Sequence, residues 1–319
     1  MVSQRARSAI HTAVAPRSTD ELVALLVPYM RAALETGAPV HVSLHAERLE
    51  ALRDALGPAS AGVRWTDSAT WHPSPPGRLR AFEELVTAGR HAGGLPGRFV
   101  CECASCADDP PELLAEWLRV DAVLNDVLAG TGIDVVCVYH APTLPAPVIG
   151  EALRSHPHVG LHPPVPRAGA PAPRAFLARL QPTALPVPED ARRIAGLLDP
   201  GDVREFLRGE LARRHTPPAA VEELLLVATE LVTNSRQAGA SWIALACWWN
   251  AHGIVVQVDD DGSGTIDLGA GYLRPPLDAL GGRGLWIARQ LTDVVEIAPR
   301  AEGTAVRAHA LGRRHASAE

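Results

Sequence analysis

Three short patches in the second half of the sequence carry residue types that can do chemistry together. The first is Glu230-Leu231-Val232-Thr233-Asn234-Ser235. Glu230 and Asn234 are four residues apart, so on a helix they stack on one face. A carboxylate and a carboxamide placed this way can orient a water and hold a hard cation through oxygen. The second is Asp259-Asp260-Asp261-Gly262-Ser263-Gly264, at the end of a strand pattern. A carboxylate there can accept a hydrogen bond from an exocyclic amine, and the glycines let a ligand approach the backbone. The third is Gly281-Gly282-Arg283-Gly284-Leu285, directly before a helical pattern. Bare amides at a helix N-terminus form an anion site, and Arg283 adds a fixed charge. Gly303-Thr304 adds a hydroxyl at the start of the last strand. Taken singly, these patches also read as a solvated helix face, an acidic turn and a flexible loop.

A fourth patch, Cys101-Glu102-Cys103-Ala104-Ser105-Cys106, lies in the first half. Three readings are open for it. The thiols could bind Zn²⁺ or an iron–sulfur cluster with His91 or His140 as a further ligand. They could form a redox pair with one thiol to spare. They could also be incidental, since the second ligand pair usual in structural zinc sites does not accompany them. His72, His156, His158 and His162 read as loop residues rather than ligands, and Trp248-Trp249 as core and rim packing rather than a cofactor platform.

The elements that must position these patches follow from periodicity. In the second half, Asp202 to His215 and Pro217 to about Gln237 read as helices. Trp242–Trp248 and Ile254–Asp259 read as an antiparallel hairpin. A Gly/Pro-rich stretch from Asp261 to Gly282 follows, then a helix over Leu285–Leu291 and strands over Val294–Ala298 and Thr304–Ala310. That order predicts an antiparallel sheet with helices on one face. The first half alternates the two patterns: helices over Asp20–Leu34, Ala46–Leu56, Pro76–Ala88, Pro111–Leu128 and Val148–Ser155, strands over Val40–Leu44, Val63–Thr66, Phe99–Cys101 and Ile133–Tyr139. Repeated β–α units predict a mostly parallel, helix-covered sheet. Nine prolines between Pro157 and Pro188 favour extended backbone, read as a semi-rigid linker with one or two helical turns over Arg174–Leu180. The expected organisation is an α/β chain with domains over 1–160 and 189–319 and a linker over 161–188.

Composition narrows the chemistry further. All 30 basic residues are Arg, so mechanisms that need a lysine are excluded: the Walker-A phosphate loop, the Schiff base and the protein-kinase lysine. A net charge of −6 argues against nucleic acid as the main partner. No apolar run approaches the ~20 residues of a membrane span, no secretion signal is legible, and five cysteines do not make a disulfide framework, so a reducing, cytoplasmic setting is expected.

In their order and spacing the three patches of the second half resemble the N, G1 and G2 boxes of the Bergerat-fold (GHKL) ATPases, the superfamily of gyrase, histidine kinases and mismatch-repair ATPases. Glu230 to Ala240 looks most like the mismatch-repair version of the N box. Gly281 to Asp293 looks like the anti-sigma-factor serine kinases. The resemblance covers about residues 185–319. It implies that Asn234 ligates the Mg²⁺ of ATP, that Glu230 is the general base toward a serine or a water, and that Asp260 accepts from the adenine amino group with support from Thr304. Gly262 and Gly264 would let adenine lie close, Gly282, Arg283 and Gly284 would meet the phosphates, and residues 265–280 would form a lid. It further implies a sigma factor and an anti-anti-sigma protein as partners, with a non-catalytic ATP-binding switch or a histidine-kinase-like enzyme as alternatives. A histidine kinase needs a helical phosphoacceptor, and His215 is followed by Thr216-Pro217-Pro218, where such a helix is awkward.

Residues 11–160 resemble the MEDS sensory domain. The resemblance rests on His11, the helix over Leu22–Leu34, Pro39-Val40-His41-Val42-Ser43-Leu44, Asp134-Val135-Val136-Cys137-Val138-Tyr139 and Ala152-Leu153-Arg154-Ser155-His156-Pro157. It implies a RecA-like α/β scaffold that senses a small molecule. A homodimer is compatible with this reading; direct nucleic-acid or membrane binding is not expected.

Overall fold

The computed structural model describes residues 9–71, 74–92, 97–102, 108–169, 171–263, 267–276 and 282–311. The chain divides into two compact units, Met1–Phe176 and Leu177–Glu319.

The first unit is a seven-stranded sheet with helical connections. Its strands are β1 (His11–Val14), β2 (Val40–Leu44), β3 (Val63–Asp67), β4 (Arg98–Glu102), β5 (Asp134–Val138), β6 (His158–Val159) and β7 (Val165–Pro166). They lie in the order β3-β2-β4-β5-β1-β6-β7, and every pairing is parallel except β6 with β7. Helices α1 (Thr19–Glu35), α2 (Ala46–Leu56), α3 (Ser68–Trp71), α4 (Pro75–Ala92), α5 (Pro111–Leu128) and α6 (Ala146–Ser155) connect them. The start of α1 is set by Ser18, whose side chain accepts from the Glu21 amide, and its buried stripe is Leu22, Leu26, Met30 and Ala33. Strands β2 and β5 are buried along their whole length, as a helix-covered parallel sheet requires.

The expected parallel α/β sheet is present, with two additions. Strand β1 sits inside the sheet between β5 and β6, yet its four residues, His-Thr-Ala-Val, carry too little pattern to announce a strand. The β6–β7 edge is two residues per strand.

Helix α7 (Pro173–Leu180) runs across the division between the units, where one or two turns were expected. The second unit then contains β8 (Arg192–Gly196), α8 (Pro200–Ala212), α9 (Pro218–Gln237), β9 (Ile243–Trp249), β10 (Gly253–Asp260), α10 (Arg283–Leu291), β11 (Val294–Pro299) and β12 (Thr304–Leu311). Its five strands are all antiparallel, in the order β11-β12-β10-β9-β8. The β9–β10 hairpin forms as expected, with Ile254 opposite Trp249. The unexpected strand is β8, an edge strand whose Arg192 and Arg193 are exposed and so mask its pattern.

One face of this sheet packs on the helices. Leu245, Cys247, Val256, Val258, Ile297 and Val306 meet Leu207, Leu224, Ala228, Leu231 and Ala288 in one core. Alternate residues point to the other face. There Leu185 packs on Ala298 and Ala305, and Val187 on Ala246, Trp248 and Val255. The proline-rich strip presents carbonyls that need donors: Gln257 Nε2 donates to the Leu185 oxygen (3.0 Å) and Arg307 Nη2 to the Pro186 oxygen (2.7 Å). Residues 185–187 thus cover sheet that the helices leave bare. No helix among the described residues is long and apolar enough to cross a membrane.

Candidate functional site

Helix α9, the end of β10, the start of β12 and the N-terminus of α10 converge on one cavity of about 190 Å³. Its wall includes Asn234, Ser235, Ala238, Asp260, Gly282, Leu285 and Thr304. Each residue is there for a local reason.

Asp259 and Asp260 end β10 and Asp261 follows it; the two-residue period of the strand turns the first two to opposite faces. Asp259 pairs with Arg300 and accepts from Gln257 Nε2 at 3.0 Å. Asp261 caps the start of β9, accepting from the Ser241 and Trp242 amides and from the Ser241 hydroxyl (2.6 Å), which holds its carboxyl below the usual range. Asp260 alone of the three is on the cavity wall. Its Oδ2 accepts from Ser235 Oγ at 2.6 Å and its Oδ1 from the Gly262 amide at 2.9 Å. Thr304 is its register partner on β12. A carboxylate oriented by two donors from one side keeps its remaining lone pairs for a ligand.

Asn234 and Glu230 stack on α9 as their spacing predicts, and α10 is brought down on both. A Cβ placed on Gly284 would stand 2.9 Å from Asn234 Nδ2 and 2.9 Å from Glu230 Oε2. A Cβ there would push the ends of both side chains aside, so glycine leaves the carboxylate and carboxamide undisturbed. Glu230 lies beside Gly284 and is not among the residues that line the cavity. Gly282, the residue before α10, has φ +83°, and no side chain caps the helix. Its open N-terminus faces the cavity with the partial positive charge of the helix dipole. Arg283 opens the helix and is exposed.

Gly262 packs against Ala238, with a Cβ there 3.0 Å from the Ala238 Cβ. Gly264 and Gly281 lie outside the described residues, as do 265–266 and 277–280 of the expected lid. The described part of that stretch, residues 267–276, is held on α10. Buried Arg289 donates to the Ala270 carbonyl (3.2 Å) and lies 3.7 Å over the Tyr272 ring.

Several site residues have no role in the sequence reading. Ser235 sits inside the first patch, one residue from Asn234, but only the fold shows that it touches Asp260. Ala270, Arg289 and Gly303 are likewise tertiary. A Cβ on Gly303 would stand 1.7 Å from the Asp260 carbonyl oxygen, so the turn into β12 closes on the end of β10 only through glycine. His215 lies in the turn after α8 with φ +51°, outside any helix.

Of the fourth patch, Cys101 ends up buried in β4, beside Cys137 on β5 with 3.9 Å between sulfurs. Cys103, Cys106 and the side chain of His91 lie outside the described residues. His156, expected as an ordinary loop residue, does follow the end of α6 but is fully buried.

Comparison with known families agrees with both halves. Residues 10–157 match the model of MEDS, the MEthanogen/methylotroph, DcmR Sensory domain. Residues 199–309 match the model of the histidine kinase-like ATPase domain. The two matches follow one another along the chain, the sensory-domain model on the first unit and the ATPase model on the second. No curated protein matches it.

Proposed function

We propose that the C-terminal domain binds Mg²⁺-ATP and acts as an anti-sigma-type serine kinase whose activity the MEDS domain modulates. The observation that carries this reading is the arrangement around Asp260: a carboxylate at a strand end, oriented by Ser235 and Gly262, opposite Thr304 and on one cavity with the open N-terminus of α10. The residues fit the nucleotide, because the space over Asn234 and Glu230 is one that any side chain at position 284 would fill.

In this reading Asp260 accepts a hydrogen bond from the adenine amino group, supported by Thr304. Asn234 offers its carboxamide oxygen to Mg²⁺, and the amides at Gly282 and Gly284 face the phosphates, with Arg283 adding charge. Glu230 takes the proton of the acceptor hydroxyl. The bound nucleotide supplies the phosphoryl group, and what the chain contributes is positioning and charge neutralisation. No lysine is needed, in keeping with a lysine-free sequence. The proposed partners are a sigma factor and an anti-anti-sigma protein that carries the acceptor serine.

A non-catalytic ATP-binding switch is the second reading. It draws on Glu230 lying beneath Gly284, at the helix junction. Calorimetric titration with ATP, with and without Mg²⁺, tests the site: binding should require Mg²⁺ and be lost in Asp260→Asn. Transfer of labelled γ-phosphate to a partner serine, abolished in Glu230→Gln with binding retained, selects the kinase. Binding without transfer to any candidate partner selects the switch.

A further inference from the structure

The MEDS domain holds a second cluster of chemistry, independent of the nucleotide site. We propose that His11, Asp121, Cys137 and His156 form a tetrahedral site for one divalent ion of the zinc class in the core of this domain. One donor atom from each lies within 4.8 Å of the others, and all four residues are buried. Bonds of ~2.0–2.3 Å to one tetrahedral ion put ligand atoms ~3.3–3.8 Å apart. His11 Nε2 and Cys137 Sγ already stand at 3.2 Å, and the two imidazole rings at 4.2 Å between centroids. The ligands come from four places, β1, α5, β5 and the end of α6, that only the sheet order brings together.

Hydrogen bonding outside the cluster fixes both rings in the metal-binding tautomer. Asn125 Nδ2 donates to the carbonyls of Ala122 and Ser155, each at 3.2 Å, which turns its Oδ1 toward His11 Nδ1 at 2.7 Å. His11 therefore donates from Nδ1 and carries its lone pair on Nε2. His156 Nδ1 stands 2.7 Å from the Ala152 carbonyl, which can only accept, so this ring too has its lone pair on Nε2. That nitrogen is buried and has no hydrogen-bond partner. An orphaned buried acceptor is costly, and ligating histidines are held by such outer carbonyls.

The donors suit a dication, since an aspartate and a cysteine bind it as anions. Arg78 Nη2 lies 3.0 Å from Asp121, 2.8 Å from Cys137 Sγ and 3.2 Å from Cys101 Sγ, so one guanidinium contacts both anionic donors. Nitrogen and sulfur donors suit zinc and exclude Mg²⁺ or Ca²⁺. A cavity of about 290 Å³ borders the cluster at His11 and is lined also by Asn125, Ser155 and Pro157.

The test uses the full-length chain. Metal analysis after growth with zinc should find one ion per chain. The metal-free chain titrated with Co²⁺ should develop the intense visible bands and thiolate charge-transfer band of a tetrahedral site. Cys137→Ser and His156→Gln should each weaken binding at least tenfold, while the double variant Cys103→Ser/Cys106→Ser keeps it. No stoichiometric ion in the wild type, or loss in the double variant with retention in Cys137→Ser, overturns the proposal. X-ray absorption on the wild-type zinc protein counts sulfur neighbours without any variant. One sulfur among four ligands is expected, and two or more overturn it.

Discussion

At the scale of single residues, the proposed nucleotide site depends on absent side chains as much as on present ones. A Cβ at position 284 would stand 2.9 Å from the tips of both Glu230 and Asn234. Gly284→Ala should cost little stability, because the atoms a Cβ meets are the tips of two flexible side chains. It should still weaken Mg²⁺-dependent ATP binding about tenfold or more, since the displaced tips include the proposed Mg²⁺ ligand Asn234. Thermal denaturation and calorimetry on the same sample separate the two effects. Ser235→Ala tests a different contact. It removes the hydroxyl that donates to Asp260 Oδ2 at 2.6 Å. A loss of ~1.5–3 kcal/mol in stability is expected from a missing hydrogen bond to a charged group. A loss of ATP affinity should accompany it, because the carboxylate is no longer held in one orientation.

At the scale of elements, two glycines with left-handed backbone give opposite controls. Gly282 precedes α10 in open space, so alanine there should cost only the ~1–2 kcal/mol of positive φ. Gly303 sits against the carbonyl of Asp260, where alanine meets a backbone atom. Gly303→Ala should therefore cost well more than Gly282→Ala in denaturant unfolding, because the end of the β10–β12 ladder must open. Equal losses would mean that the contact relaxes freely. Arg289 plays a related part in joining elements: with one guanidinium it donates to the carbonyls of Ala270 and Val295, tying the loop over 267–276 to α10 and β11.

At the scale of the whole molecule, acid stability should be governed by buried histidines of the first unit. His41 lies among Phe99 and Trp71, with ring centroids 4.4 and 5.3 Å away, and accepts or donates one bond to Thr66. Burial, then the charge of Arg64, lowers it from 6.5 to about 4. The unfolded chain thus binds a proton between pH 6.5 and about 4 that the folded chain refuses. The stabilisation is complete above pH 6.5 and is lost as pH falls through that window. Urea unfolding followed from pH 7.5 to 4.5 should show this decline, and His41→Phe should flatten its slope.

Much of the second unit is legible in the chain itself. The 3.6-residue spacing of Glu230 and Asn234, the alternation along β9 and β10, and glycines flanking a helical run are local signals, and each reports local backbone. The α/β class and the sheet directions follow from element order. What the sequence hides is everything that depends on long-range pairing. Strand β1 is four residues long and is an interior strand only because β5 and β6 flank it. Ser235 serves Asp260 across 25 residues, and His11, Asp121, Cys137 and His156 are spread over 146 positions yet share one buried point. No periodicity links such residues, because their proximity is a property of how strands order in a sheet. The sequence alone determined which residues could do chemistry; the packing of strands and helix ends decided which of them do it together.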